Sequence, residues 1–237
     1  MPTRTSAHTP ARTSARTSAR TSARTSARTR ARTSARTSAR TFSVTWDYLC
    51  PFARNAHEHV VTALDDGAPW DVAFIPFSLM QSHVEEGDTP VWELEEKARG
   101  LLALEAGVVV RDKFPERFRA AHLALFAARH DEGKEISDPD VVRETLESAG
   151  VLADEVFEEI AKGWPLDTIR TEHEKAVSDY EIFGVPTFVV GGDAVFARLM
   201  TRPRGDALKA RATIERVVGL AAEHPELNEL KHTKIPR

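Results

Sequence analysis

The sequence predicts an α/β fold in which a small sheet is divided by a long helical insertion. Three observations support this prediction. Two strand-like segments flank a helix-like segment over residues 41–79. Apolar residues then recur at intervals of three and four over residues 90–180, which indicates helices. Finally, the stretch "GVPTFVVGGDAVF" indicates a hairpin, and a last helix follows it.

The first half of the sheet is predicted from residues 41–79. The stretch "TFSVTWDYL" alternates apolar and polar residues and is rich in residues that favour strands. After Pro51 the apolar residues lie near helical spacing, and "DDGAP" marks the end of that helix. A second strand, "WDVAFIPFSL", covers residues 70–79. A strand, a helix and a strand within about forty residues predict a parallel pair of strands with a right-handed crossover.

The remaining elements are helical first and then return to strands. Phe114 and Phe118 belong to a series of apolar positions at helical spacing. The stretch "SDPDVVRETLESAG" has the residues that cap the start and the end of a helix. Beyond the hairpin, whose turn is the pair of glycines in "VGGD", we expect a final helix over residues 205–222.

Composition and cysteine content predict a soluble globular protein of the cytoplasm. The 237 residues are 41% hydrophobic, which is enough for a substantial core. No apolar run reaches the ~18 residues of a membrane span, and the N-terminal segment lacks the apolar block of a secretion signal. The single cysteine excludes an internal disulfide, which agrees with a reducing compartment. We expect no membrane partner.

The charge is divided sharply between an N-terminal tail and the rest of the chain. Residues 1–40 are mainly "TSAR" repeats with ten arginines and no acid, whereas the remainder has 22 basic and 36 acidic residues. We predict a disordered tail, because a four-residue unit with only alanine as its apolar residue forms no core. The role of this tail stays open. It could be a transit peptide, a tail that binds nucleic acid or a membrane surface, or a solvated tail that arose by repeat expansion. The acidic folded part is not expected to bind nucleic acid.

Two motifs in this arrangement resemble a known family. The stretch "CPFA" begins the first helix and "GVPT" precedes the third strand, in an order that resembles the DsbA family. Within that family it more closely resembles the cytosolic branch, which includes FrnE-like oxidoreductases, mycothiol-dependent nitroreductases, 2-hydroxychromene-2-carboxylate isomerases and kappa-class glutathione transferases. The likeness covers about residues 42–222. It implies a thioredoxin-like fold (residues 41–88 and 183–222) with a helical insertion domain (residues 89–182), followed by a C-terminal tail (residues 223–237).

The resemblance also implies an active site. Its pattern is Cys-Pro-x-Cys, of which this chain keeps Cys50 and Pro51 but has Ala53 in place of the second cysteine. The cis-proline loop of the family corresponds to Val185, Pro186 and Thr187, and it places Pro186 against the sulfur of Cys50. We therefore expect Pro51, Phe52 and the three loop residues to bind a substrate or a small thiol.

The position of Cys50 predicts a reactive thiol, although a lone cysteine is also commonly an inert buried residue. At the N-cap of a helix the unpaired N–H groups and the helix dipole favour the thiolate. Pro51 suits the first helical position, since its missing N–H is not needed there. Helix-terminal cysteines have pKa values of about 3.5 to 7.5. We expect the upper part of that range, because Phe52 offers no charge or polar donor.

A single cysteine requires an outside thiol to complete any disulfide exchange. We expect glutathione or mycothiol as cosubstrate, a disulfide or an electrophile as the second substrate, and no tightly bound cofactor. Cys50 acts as the nucleophile in an oxidoreductase or transferase, whereas in an isomerase the pocket presents the sulfur of the bound small thiol. A non-catalytic binding module is the alternative from another class. The sequence leaves a homodimer open.

Other polar and aromatic residues near the motifs are weaker candidates. Tyr48 precedes Cys50, and His83 and Trp92 lie in a loop that leads into the helical insertion, so all three are candidates for the substrate cleft. Asp47 either accepts a proton or orders the turn before the helix.

The histidines give no sign of a metal site. His57 and His59 lie in the first helix, where we expect them at the surface. The nine histidines are scattered, without paired ligands or a second cysteine, so no metal is predicted.

Overall fold

The computed structural model describes residues 40–94, 96 and 98–234. The repeat tail that the sequence predicts to be disordered lies outside the described residues, except for Arg40. The strands are β1 (Arg40–Trp46), β2 (Trp70–Pro76), β3 (Thr187–Val190) and β4 (Asp193–Phe196), and the α-helices are α1 (Pro51–Asp65), α2 (Leu101–Lys113), α3 (Pro115–His130), α4 (Pro139–Ser148), α5 (Ala153–Ala161), α6 (Trp164–Tyr180) and α7 (Ala207–Glu223).

The four strands form one mixed sheet in the order β2-β1-β3-β4. β1 and β2 are parallel, while β3 is antiparallel to both β1 and β4. The predicted α/β fold with its strand–helix–strand unit is confirmed. β2 ends at Pro76, three residues before the predicted end, and a proline has no N–H to continue the hydrogen bonding. The β3–β4 turn is formed by Gly191 and Gly192, both at positive φ.

Helices α1 and α7 cover one face of this sheet. Val60 from α1 and Ile214 and Val218 from α7 are buried with Phe42 of β1 and Phe188 of β3. Burial of apolar surface stabilises a fold by about 25 cal/mol per Å², and this is the main contribution that holds these layers together. The packing fixes the axis of α1, whose N-terminus carries the cysteine.

The other five helices lie between β2 and β3 in sequence, after two single turns of 3-10 helix at Gln81–His83 and Val91–Glu93. Helix α2 is their centre, since residues 101–110 are all buried. A helix that is buried all round lies in the middle of a core. No helix among the described residues is long and apolar enough to cross a membrane. The domain division at residues 89 and 182 stays a prediction.

Gly107 of α2 is predicted to be intolerant of any side chain. A Cβ there would lie 2.5 Å from the hydroxyl oxygen of the fully buried Tyr48. We expect Gly107→Ala to lower the free energy of unfolding by about 2 kcal/mol in urea denaturation, since overpacking outweighs the better helix propensity of alanine. Gly219→Ala in α7, where a Cβ meets nothing within 4 Å, is the control and should be neutral or stabilising. Equal effects of the two changes would contradict this account.

Candidate active site

Cys50 caps the N-terminus of α1 from a tight turn. Its backbone N–H donates to the carbonyl oxygen of Asp47 at 3.1 Å, which closes the turn between β1 and the helix. Its sulfur accepts a hydrogen bond from the N–H of Ala53 at 3.4 Å, one of the helix N–H groups that have no partner within the helix. Pro51 occupies the first helical position. Only 7% of Cys50 is exposed, so the thiol lies just below the surface.

The loop before β3 lies against the sulfur of Cys50. The Val185–Pro186 peptide bond is cis, and both residues are buried. The thiol of Cys50 donates a hydrogen bond to the carbonyl oxygen of Val185 at 3.2 Å. This bond uses the proton of the thiol, so it stabilises the neutral form rather than the thiolate. The structure therefore brings together two segments that are 135 residues apart in sequence.

Thr187 fixes that loop to the first strand. Its N–H donates to the hydroxyl of Thr45 at 2.9 Å, and its own hydroxyl donates to the carbonyl oxygen of Gly184 at 2.8 Å. Both groups are buried, so these bonds satisfy them in place of water. The predicted binding role of Thr187 stays a prediction, and in the structure its side chain holds the loop.

Burial raises the pKa of the Cys50 thiol above its ordinary value. The N–H groups of Ala53 and Phe52 act in the opposite direction, the charge of Asp47 adds to the rise, and that of Arg198 lowers the pKa. The sequence-based expectation of an acidic thiol is therefore wrong. The N–H groups at the helix terminus lower the pKa of the thiol as expected, but desolvation of the buried sulfur raises the pKa by more.

Asp47 holds the two loops that follow β1 and β2. One carboxylate oxygen accepts from the N–H of Leu49 and the other from the N–H of Leu79, each at 2.8 Å. Burial raises the pKa of Asp47 to about 6, although both hydrogen bonds lower it. Of the two roles considered from sequence, the structure shows the ordering of the turn.

Tyr48 points into the core rather than toward the thiol. Its side chain is fully buried, and its hydroxyl lies 2.8 Å from Nδ1 of His122 in helix α3. The prediction that Tyr48 contributes to a substrate cleft is therefore wrong. Its backbone carbonyl oxygen accepts from Nε2 of His130 at 2.9 Å, so α3 holds this residue at two points.

A chain of three buried hydrogen bonds runs inward from Tyr48. Nε2 of His122 lies 2.9 Å from Nδ1 of His57, and Nε2 of His57 lies 3.0 Å from the carbonyl oxygen of Thr45. A carbonyl only accepts, so the neutral His57 must donate from Nε2 and accept at Nδ1. His122 then donates from Nε2 and accepts the Tyr48 hydroxyl at Nδ1. This series of hydrogen bonds thereby links α3, α1 and β1 behind the candidate site.

The expectation that His57 and His59 lie at the surface is wrong. His57 is fully buried, and His59 is 1% exposed and donates to the carbonyl oxygen of Thr201 at 3.0 Å. Burial lowers the pKa of His57 to about 4 and holds that of His122 well below its usual range, so both are neutral. His122 was missed from sequence. Its spacing of four from Phe118 and from Phe126 was the signal that it shares their buried face.

The remaining candidates lie in the segment after β2. His83 is exposed, and its Nδ1 donates to the carbonyl oxygen of Leu79 at 2.6 Å. Trp92 is half-buried and packs edge-on against His173 of α6, with ring centroids 5.5 Å apart. Neither side chain has a described contact with Cys50. Within the described part of the chain, no three His, Cys, Asp or Glu residues converge on a possible metal position.

Comparison with known proteins identifies the fold. Residues 110–204 match the family model of the DSBA-like thioredoxin domain. The matched residues include the cis-proline loop. A search of curated proteins finds no match. Among solved structures, the cytosolic disulfide reductase DsbM from Pseudomonas aeruginosa with GSH has a TM-score of 0.53 and 16% identity, and the alignment covers 75% of this chain and 98% of DsbM. A 2-hydroxychromene-2-carboxylate isomerase has a TM-score of 0.52 and 14% identity, and the alignment covers 77% of this chain and 98% of the isomerase. The chain therefore has the DsbA-like thioredoxin fold.

Proposed function

We propose that the protein is a cytoplasmic oxidoreductase or transferase that depends on a small thiol and uses Cys50 as its only protein nucleophile. The observation that carries the proposal is the position of the Cys50 sulfur. It caps α1, accepts from the N–H of Ala53 and faces the Val185 carbonyl beside Pro186. The likeness in fold to a disulfide reductase solved with GSH gives further support.

The reaction is a thiol–disulfide exchange in two steps. The thiolate of Cys50 attacks one sulfur of a disulfide, the S–S bond breaks, and the other sulfur leaves as a thiolate. A small thiol, glutathione or mycothiol, then attacks the mixed disulfide and releases Cys50. In a two-cysteine site the second protein thiol performs this step, but here a fully buried Ala53 occupies that position. The small thiol is thus a cosubstrate rather than a bound cofactor.

The raised pKa of Cys50 favours a second candidate, in which the site presents the sulfur of a bound small thiol to an electrophile. A protonated Cys50 can donate its hydrogen bond to a bound thiolate instead of to the carbonyl of Val185. Hydrogen bonding to the charged form lowers the pKa of the bound thiol and so activates it. A 2-hydroxychromene-2-carboxylate isomerase has a similar fold, so isomerisation belongs with this second candidate.

The two candidates are separated by replacing Cys50 with serine and with alanine. Turnover of a model disulfide and of an electrophile would be measured with glutathione and then with mycothiol. If Cys50 is the nucleophile, both variants lose turnover, because neither forms a mixed disulfide. If the site presents a bound thiol, Cys50→Ser retains turnover through its hydroxyl donor and Cys50→Ala loses it. A wild-type protein that binds these thiols without turning over any substrate would contradict both candidates and favour a binding module.

A further inference from the structure

Arg198 is an exposed cation two residues after the end of β4. It forms no ion pair with any of the described residues, in contrast to Arg54 and Arg202. Arg54 pairs with Asp131, and Arg202 pairs with Glu58. The donors of Arg198 are therefore available to an anion from outside the chain.

Two aromatic rings hold the guanidinium of Arg198 beside the cysteine. Its central carbon lies 5.6 Å from the centroid of the Phe52 ring and 5.8 Å from that of the Phe196 ring. Phe52 follows Cys50 by two residues. Contact with ring faces stabilises the planar cation and leaves N–H groups at its edge free to donate.

The backbone that carries Arg198 is fixed to α1 as well. The side-chain amide of Asn55 donates to the carbonyl oxygen of Leu199 at 2.8 Å. His59 donates to the carbonyl oxygen of Thr201, and the ion pair of Glu58 holds Arg202. The position of Arg198 relative to the start of α1 is therefore determined by the scaffold and not by its own side chain alone.

Electrostatics agree with this proximity. The charge of Arg198 lowers the pKa of the Cys50 thiol, in opposition to burial. An exposed Phe183 packs against Phe196, with ring centroids 5.1 Å apart, and adds apolar surface next to the cation. The surroundings of the thiol thus combine aromatic surface with one unpaired positive charge.

We propose that Arg198 binds a carboxylate of the small thiol or disulfide that exchanges with Cys50, which makes carboxylate-bearing thiols the preferred substrate class. This inference rests on the proposed function. An arginine can donate two parallel hydrogen bonds to a carboxylate, and such charge-assisted bonds are stronger than neutral ones. Arg198 is a specificity residue, while the exchange itself takes place at Cys50.

Two disulfides with the same reacting S–S group test the inference. Dithiodipropionic acid carries carboxylates, whereas hydroxyethyl disulfide is neutral. The rate of mixed-disulfide formation at Cys50 would be measured by intact-mass spectrometry for the wild type, Arg198→Gln and Arg216→Gln. Arg216 is the control for net charge, because it is exposed on α7 and is not among the groups that act on Cys50.

We expect Arg198→Gln to slow the reaction with dithiodipropionic acid about tenfold relative to the reaction with hydroxyethyl disulfide. Arg198 also affects the pKa of Cys50, and this effect changes the rates of both reactions equally. It therefore cancels in the ratio of the two rates. Arg216→Gln should behave as the wild type. An unchanged ratio in Arg198→Gln would overturn the inference alone, whereas a wild type that reacts with neither disulfide would overturn the role of Cys50 as nucleophile and the inference with it.

Discussion

Acidification from about pH 7 to about pH 4 is expected to lower the free energy of unfolding by on the order of 5 kcal/mol. The main source is the three buried histidines whose pKa values are lowered most. Burial lowers the pKa of His57 and of His173 to about 4 and holds that of His122 well below its ordinary value. An unfolded histidine has a pKa near 6.5, so it takes up a proton at a pH where the folded residue stays neutral.

The sign follows from that difference in proton uptake. Unfolding binds protons below about pH 6.5, so stability falls from there until the folded histidines also titrate. The shift of His57 alone corresponds to about 3 kcal/mol. Asp47 acts in the opposite direction, because its raised pKa of about 6 makes the folded state take up a proton first, which adds stability as the pH falls. The histidines outnumber it, and the net effect is a loss.

Urea unfolding at a series of pH values measures this effect directly. The expected result is a midpoint that falls continuously below about pH 6.5. Asp47→Asn should make the fall steeper, since it removes a carboxyl group whose proton uptake opposes the loss of stability. A free energy of unfolding that stays level down to about pH 4 would show that these histidines are not held neutral by burial.

Replacing His122 by alanine is expected to lower the free energy of unfolding by about 4 kcal/mol. His122 lies in the middle of the buried chain, where it accepts from Tyr48 and donates to His57. The substitution leaves both partners buried without a hydrogen bond. It also opens a cavity beside the rings of Trp46 and Phe118, which pack against the imidazole.

A glutamine at the same position restores part of the packing and part of the hydrogen bonding. Its amide has both a donor and an acceptor, so His122→Gln should lose less stability than His122→Ala. Tyr48→Phe should also cost less in the His122→Ala background than in the wild type, because its hydroxyl has no partner there. Thermal and urea unfolding give all four values. An equal cost of Tyr48→Phe in the wild type and in the His122→Ala background would show that the hydrogen bond between Tyr48 and His122 contributes nothing measurable.

The order and type of the elements could be predicted from local patterns. The alternation before Cys50 and the helical spacing after Pro51 each describe a single element, and such elements need only their own residues to be recognised. The parallel pairing of β1 with β2 followed from the helix that connects the two strands within about forty residues. These patterns depend on neighbours in sequence, and the structure confirms the α/β fold that they imply.

The errors concern residues whose surroundings come from distant parts of the chain. His57 was expected at the surface because its own helix does not reveal that α3 covers it with His122. The thiol of Cys50 was expected to be acidic because the helix terminus is local, whereas the desolvation that outweighs it results from tertiary packing. The nearness of Arg198 to Phe52 likewise depends on where β4 ends relative to α1.

The most direct test of the central claim is the formation of a mixed disulfide at Cys50. The purified chain would be exposed to glutathione disulfide over a range of pH, and the adduct would be measured by intact mass and located by peptide mapping. We expect one glutathione per chain, bound to Cys50, which added glutathione removes and which is absent from Cys50→Ser. Its rate of formation should continue to rise beyond the ordinary pKa of a free thiol, because burial raises the pKa of Cys50. No adduct at any pH in the folded protein would show that Cys50 does not exchange with small thiols and would contradict the account.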